Sequence, residues 1–345
     1  ETSNGFSLYF ASFNRNKRSV SLDLRSEDGK AVLRRLIASA DVLVENYRPG
    51  VLDRMGFDRP TLLSIRPDLV ICRVTGFGLD GPYADRPAFD FIAQAMSGLM
   101  SVTGERDGAP MRAGPPLSDL VAGSYAAMGV LAALIRRSRT GQGEEVSASL
   151  TDGMISMLAF MATNYFATGK VPQRNGNDHG LVAPYGLFDA ADGQVAIAPS
   201  NDSVYQKLLS ALGLEHLRGH PEFLTNRDRF ERRAEINAEI NRVIGTRGID
   251  HWVNLLNAAG VPCGKVLDIG QVFDDPQVQH QNMRLRIDHP RYGPLEVLGF
   301  PVKFTDDPCK VYRPPPDLGG DTDAVLGELG YDTSMIAALR ESKVI

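Results

Sequence analysis

Asp119 closes the run Gly114-Pro115-Pro116-Leu117-Ser118-Asp119, which leads directly into an apolar helical stretch, Leu120–Arg137. A helix start stabilises a carboxylate, and its free backbone N–H groups can hold a developing oxyanion. Asp119 is therefore a candidate covalent nucleophile, although Ser118 or Asp119 acting only as the helix cap explains the same spacing. A second group of candidates is cationic. Arg15, Lys17 and Arg18 lie within four residues, Arg25 follows the next strand pattern, and Arg48 and Arg54 lie in the segment Glu45–Arg54 after the second strand. A single charge run reads most simply as a solvated turn. Cations repeated at strand ends on a chain of net charge -5 point instead to a phosphorylated ligand. Open α/β sheets bind ligands at the carboxyl ends of their strands, and Arg grips phosphate bidentately.

These residues need a scaffold, and hydrophobic periodicity supplies one. Val20, Leu22 and Leu24 alternate as a strand, and Ser26 then caps a helix with the stripe Val32, Leu33, Leu36, Ile37 and Ala40. Asp41–Glu45 and Leu69–Val74 read as buried strands, with a short helix near Thr61–Ile65 between them. This is βαβ rhythm and predicts a parallel sheet. Helices follow at Leu120–Arg137 and Thr151–Ala167, flanking a strand at Glu145–Leu150. After the polar stretch Thr168–Ala183 comes a hairpin around Asp192–Gly193, then helices near Ser203–Ala211, Ala234–Ile244 and His251–Ala259. Ile287–Pro316 reads as irregular and Pro-rich, and Thr322–Leu329 as a last short helix.

Composition narrows the function classes. The 345 residues suffice for about two domains. Thirty-seven Lys+Arg against 42 Asp+Glu argues against nucleic-acid binding, which runs on a basic surface. The longest apolar run, Ala126–Ile135, is half a membrane span, so no membrane partner is expected. Cys72, Cys263 and Cys309 are widely spaced and odd in number, which fits a reducing cytoplasm and gives no metal site. Gly76-Phe77-Gly78-Leu79-Asp80-Gly81 matches a dinucleotide fingerprint, but Pro82 and Pro87 leave no helix for the third Gly to open. His216 and His220 are read as surface residues, Trp252 as core, and Met154, Met157 and Met161 as packing that could line an acyl pocket. His179 is a solvated loop residue or a substrate contact.

The runs NRNKRSVSLDL, DVLVENYRPGVLDRMG, GFGLDGPYADRPAFDFIAQAMSG, GPPLSD and TGQGEEVSASLTD resemble the class III CoA-transferases. The likeness continues through PYGLFDAADGQVAIA, GHPEFLTNRDR, AGVPCGKV and GGDTDAVLGELGY. That group contains formyl-CoA transferase, the carnitine CoA-transferases and the related α-methylacyl-CoA racemases. The resemblance implies an acyl-CoA:carboxylate CoA-transferase working through a covalent aspartyl-CoA intermediate, with Asp119 as the nucleophile. It places the CoA contacts on Leu22, Arg25, Asn46, Tyr47, Arg48, Arg54, Arg86, Phe89 and Asp90, with Asp90 also able to orient the site. Coenzyme A and its thioesters then enter as substrates, with no tightly bound cofactor and a small carboxylic acid as the other substrate.

The implied architecture is α/β. Residues 1–167 form a large Rossmann-like CoA-binding domain lacking its N-terminal part, and 168–183 a linker. Residues 184–286 form a smaller inserted α+β domain, 287–316 a second linker, and 317–345 the return to the large domain. Two such chains would interlock as a homodimer in the cytoplasm. Family members begin with a further βαβ segment, so 345 residues is expected to understate the protein. The racemases' catalytic histidine falls on Phe89, thirty residues before Asp119, and a phenyl ring cannot carry a proton. Racemase activity is thus the weaker alternative. A catalytically silent CoA-binding protein is the other. Asn175–Tyr185 stands where formyl-CoA transferase carries a glycine-run loop, which makes that enzyme's own substrate pair doubtful here.

Overall fold

The computed structural model describes residues 2, 3 and 5–345, which form a mixed α/β chain that divides into two compact units. The first comprises residues up to 88, Leu120–Leu150 and Ile269–Ile345; the second comprises Phe89–Asp119 and Thr151–Asp268.

The first unit holds a parallel sheet of Val42–Glu45, Val70–Thr75 and Glu145–Ser149, with Val70–Thr75 in the centre. Its central strand, VICRVT, is buried along most of its length and, Arg73 apart, mainly apolar and β-branched. Ile37, Leu52, Phe57, Leu62, Leu69 and Ile71 pack into one core beside it. The helix Glu27–Ser39 starts where the sequence predicts, with the Ser26 side chain accepting from the Gly29 amide. Close approach explains two glycines. A Cβ on Gly143 would lie 2.0 Å from the Leu69 carbonyl oxygen, and one on Gly76 would lie 2.3 Å from the Ala88 Cβ. Gly76–Gly81 is loop, and no helix opens on Gly81.

Three expected elements differ. Val20–Leu24 joins no sheet, and Leu24 already lies in a turn. The amides of it and of the preceding Ser19 are met by the C-terminal end: Ser19 N donates to Asp321 Oδ2 at 2.9 Å, Ser21 N to Thr322 Oγ1 at 3.0 Å and Asp23 N to the Val344 carbonyl at 2.8 Å. Alternation reports a half-buried extended chain, not what satisfies its amides. Ile287–Pro316 is not wholly irregular. Arg284–His289 and Gly293–Leu298 pair antiparallel, and Ile287, Leu295 and Val297 pack with Phe6 and Ala11. The stretch Thr151–Ala167 is two helices, Leu150–Ser156 and Phe160–Thr168, broken at Ala159 with φ 46°. A further helix, Thr333–Glu341, follows Thr322–Glu328, and Leu326, Leu339 and Val344 close over Val32.

The second unit is built on an antiparallel sheet of Gly186–Ala190, Gly193–Ile197 and Cys263–Lys265. Helices Asp202–Ala211, Arg233–Ile244 and Ile249–Ala258 supply Tyr205, Leu208, Ile236, Ile240, Trp252 and Leu256 to its core. Trp252 is core as expected, its Nε1 donating to the Ile244 carbonyl at 2.6 Å.

Candidate active site

Asp119 sits in the first turn of a 24-residue helix, Leu117–Thr140. Ser118 is fully buried, whereas the Asp119 side chain is open to solvent. Among the described residues, no hydrogen bond or ion pair engages the Asp119 carboxylate, so it caps nothing. The cap comes from another segment. Asp90 Oδ1 accepts from the Ser118 amide at 2.9 Å and from Ser118 Oγ at 3.0 Å. Asp90 Oδ2 accepts from Gln94 Nε2 at 2.8 Å. Gln94, wholly buried, in turn accepts from the Ala113 amide at 2.8 Å. The capping expectation for Ser118 and Asp119 is thereby corrected, because a carboxylate 28 residues away in sequence supplies the acceptor that local spacing assigned to the helix itself.

This network fixes the polarity of every bond. Ala113 N–H requires an acceptor, so Gln94 presents its oxygen there and its NH₂ to Asp90. Asp90 faces only donors and is held as an acceptor. Asp119 then lies beside a second carboxylate, Asp90, which begins another helix and caps the one that carries Asp119. Loss of water to the surrounding protein, and next the Asp90 charge, push the Asp119 carboxyl above its ordinary range. A carboxylate that is exposed, unpaired and made more basic is suited to nucleophilic attack.

Two amides of that helix start are already engaged, Leu117 N with the Pro115 carbonyl at 2.8 Å and Ser118 N with Asp90. It is a smaller oxyanion donor than its sequence implies.

The residues expected to contact CoA fall in both units. In the first, Asn46, Tyr47 and Arg48 are exposed directly after the strand Val42–Glu45, and Arg54 ends the helix Val51–Arg54. Among the described residues, neither Arg48 nor Arg54 has an acidic partner, which leaves both free to meet phosphate. Arg25 is not free. Its guanidinium is bidentate on Asp23, Nε to Oδ1 and Nη2 to Oδ2 both at 2.9 Å, and this holds the Asp23 carboxyl down at about 2. A phosphate would have to compete with that exposed and therefore weak pair. Leu22 is half-buried against the cluster of Val32, Leu326, Leu339 and Val344, and Arg86 lies 3.6 Å over the Tyr83 ring. In the second unit, Phe89 is 80% exposed at the N-cap of the helix Asp90–Met96. Asp90 has both carboxylate oxygens occupied by protein donors.

The Asn175–Tyr185 loop is tied down at several points. Gly176 N donates to the Gly104 carbonyl at 3.0 Å, Arg233 Nη2 to the His179 carbonyl at 2.6 Å and Arg229 Nε to the Ala183 carbonyl at 2.9 Å. His179 Nδ1 accepts from the Leu181 and Val182 amides at 3.0 and 3.1 Å, which leaves Nε2 as the ring's donor. Sequence reasoning missed Gln94, Asp23, Arg229 and Arg233. Arg229 carried no signal, since a buried Arg in NRDRFE looks like any exposed helix charge. His220 caps a short turn, its side chain accepting from the Glu222 amide.

The sequence profile of CoA-transferase family III matches residues 1–322. The acetyl-CoA:oxalate CoA-transferase of Acetobacter aceti is 38% identical over 305 residues, covering 88% of this chain and 77% of the relative. The succinyl-CoA:glutarate CoA-transferase of Homo sapiens is 33% identical over 340 residues, covering 98% and 78% respectively. A crystal structure of a CAIB/BAIF family protein from Brucella suis superposes with a TM-score of 0.81 at 38% identity, covering 94% of this chain and 84% of that one. A helix start bearing an unpaired carboxylate, two arginines without acidic partners after the strand Val42–Glu45 and a match spanning nearly the whole chain agree, and the chain belongs to CoA-transferase family III and is an enzyme of that class.

Proposed function

We propose that this enzyme moves CoA between small carboxylic acids with Asp119 as the covalent nucleophile. An Asp119 oxygen attacks the thioester carbonyl of the donor acyl-CoA, the C–S bond breaks, and a mixed anhydride and free CoA thiolate result. The thiolate attacks the aspartyl carbonyl and releases the donor acid, leaving an aspartyl-CoA thioester. The acceptor carboxylate attacks that thioester, expelling the thiolate. The thiolate then attacks the new anhydride at the acceptor's carbonyl, which regenerates Asp119. One thioester replaces another with no net proton transfer. The observation that carries this reading is the unpaired, basic carboxylate of Asp119 on a helix start capped by another residue.

Oxalate and glutarate in the relatives' names support a small dicarboxylic acid as acceptor or donor. Arg48 and Arg54 would hold the phosphates of CoA, with Asn46, Tyr47, Leu22, Arg25, Arg86 and Phe89 as further contacts. Free Cys72, Cys263 and Cys309 fit a cytoplasmic setting. Incubation with succinyl-CoA and hydroxylamine should convert Asp119 to its hydroxamate, located by peptide mass spectrometry. Modification confined to other residues, with transfer intact, would sink the mechanism.

The helix Leu117–Thr140 is long and apolar enough to cross a membrane by length and composition, more so than its longest apolar run implies. Met128, Leu131 and Ile135 are each more than half exposed at helical spacing along it. We assign that stripe to a second copy of the chain in a homodimer. Light scattering should give twice the chain mass, and a monomer at micromolar concentration would refute the assignment.

A further inference from the structure

We propose that Arg73 and Glu45 are positioning residues for the CoA grip of Asn46–Arg54, a role that rests on reading that segment as CoA-binding. Arg73 lies mid-strand in Val70–Thr75, among buried Ile71 and Cys72, and is itself only 5% exposed. Its fork reaches three carboxylates. Nε is 2.9 Å from Glu145 Oε1, Nη2 is 3.1 Å from Asp53 Oδ1 and Nη1 is 3.8 Å from Glu45 Oε1. Glu145 is also paired with Arg59 at 3.1 Å.

Two of those carboxylates bracket the grip. Glu45 ends the neighbouring strand in register with Arg73, and its other oxygen accepts the Tyr47 amide at 2.7 Å. Asp53 lies on the helix Val51–Arg54, entered through Gly50 at φ 76°. Val51 N donates to the Arg48 carbonyl at 3.1 Å, and Arg54 N to the Gly50 carbonyl at 3.0 Å. One buried guanidinium thus meets both ends of the segment that presents Arg48 and Arg54, hydrogen-bonded to Asp53 and in ion-pair range of Glu45. Packing alone does not call for a cation here, because Cys72 and Val74 on either side of it in the strand are apolar and a buried ion pair is a poor source of stability. What a planar, multi-donor fork adds is geometric coupling, which a lysine point charge supplies less well. Burial pushes the Glu45 carboxyl up, opposed by the Tyr47 amide and then by Arg73, so both partners help keep it an acceptor.

The test uses Arg73→Met, Arg73→Lys and Glu45→Gln, with Arg48→Ala as the comparator. Steady-state kinetics with succinyl-CoA and a dicarboxylic acceptor are paired with calorimetric binding of coenzyme A. Arg73→Met and Glu45→Gln should raise the acyl-CoA KM and the CoA Kd about 5- to 20-fold. The kcat should stay within about twofold and the acceptor KM should not move. Arg73→Lys should recover part of the loss. A purely structural role would lower activity with the folded fraction and leave KM and Kd in place, which overturns the proposal. If Arg73→Met does not fold, the shape-conserving Glu45→Gln decides. An unchanged Kd in Arg48→Ala overturns the CoA reading of the segment, and the proposal with it. A raised Kd there with an unchanged Kd in Glu45→Gln overturns the proposal alone.

Discussion

Asp119→Ala is expected to lower the rate of CoA transfer by at least about 1000-fold, the scale on which enzymes lose activity when a covalent nucleophile is removed. Binding of coenzyme A should persist, because Arg48 and Arg54 are untouched. Asp119→Asn keeps the shape and isolates the charge. It carries a second, thermodynamic expectation. Loss of water first, and the Asp90 charge second, raise the folded-state pKa of Asp119. Ionising it therefore destabilises the fold. That penalty is absent below the ordinary Asp value of about 3.9, grows as pH rises towards the raised folded value, and is constant above it. Asp119→Asn should accordingly raise the melting temperature at pH 7 and leave it unchanged near pH 3. An equal shift at both pH values would mean that Asp119 is not held against its own ionisation. Full transfer activity in Asp119→Ala would remove it from the mechanism.

The second large effect belongs to Asp90. Its two oxygens receive Ser118 N, Ser118 Oγ and Gln94 Nε2, and Gln94 cannot turn over because its own oxygen is committed to Ala113 N. In Asp90→Asn an NH₂ must face one of those donors, and the helix start that carries Asp119 shifts. A displacement of about 1 Å at a reacting atom costs up to about 100-fold, so kcat should fall about 10- to 100-fold. The Asp90 charge is also one cause of Asp119's raised pKa, and removing it lowers that pKa. The acid limb of kcat/KM should therefore move to lower pH, a displacement that a loss of folded protein cannot produce. A raised KM for acyl-CoA with the acid limb in place would instead make Asp90 a CoA contact.

Phe89, at the N-cap of the helix Asp90–Met96, adds a negative expectation. It is exposed at the position that the resemblance matches to the racemases' histidine, and a phenyl ring carries no proton. Exchange of an α-proton into deuterated water without an acceptor acid should not exceed the uncatalysed rate.

Much of this protein was legible from residue order. Period-2 and period-3.6 patterns located the parallel strands, the helix after Ser26 and the hairpin at Asp192–Gly193, because burying one face is a local requirement written into each segment. Residue types alone picked out Asp119, Arg48 and Arg54 as chemically able. Val20–Leu24 shows the limit of such reading. Its alternation is genuine, yet the groups that meet its Ser21 and Asp23 amides come from Thr322 and Val344, some 300 residues away.

The roles of the polar residues were decided only in three dimensions. Sequence could not tell whether Asp119 caps its helix or stands free. That depended on Asp90 crossing 28 residues to take the cap. Nor could it show that Arg73, one cation in a largely apolar strand, gathers Glu45, Asp53 and Glu145. The physical reason is range. Hydrophobic burial is non-directional and repeats with the period of the local backbone, so a single chain displays it. A hydrogen bond or ion pair requires a particular partner atom within about 3 Å, and only the fold determines which distant residue brings it.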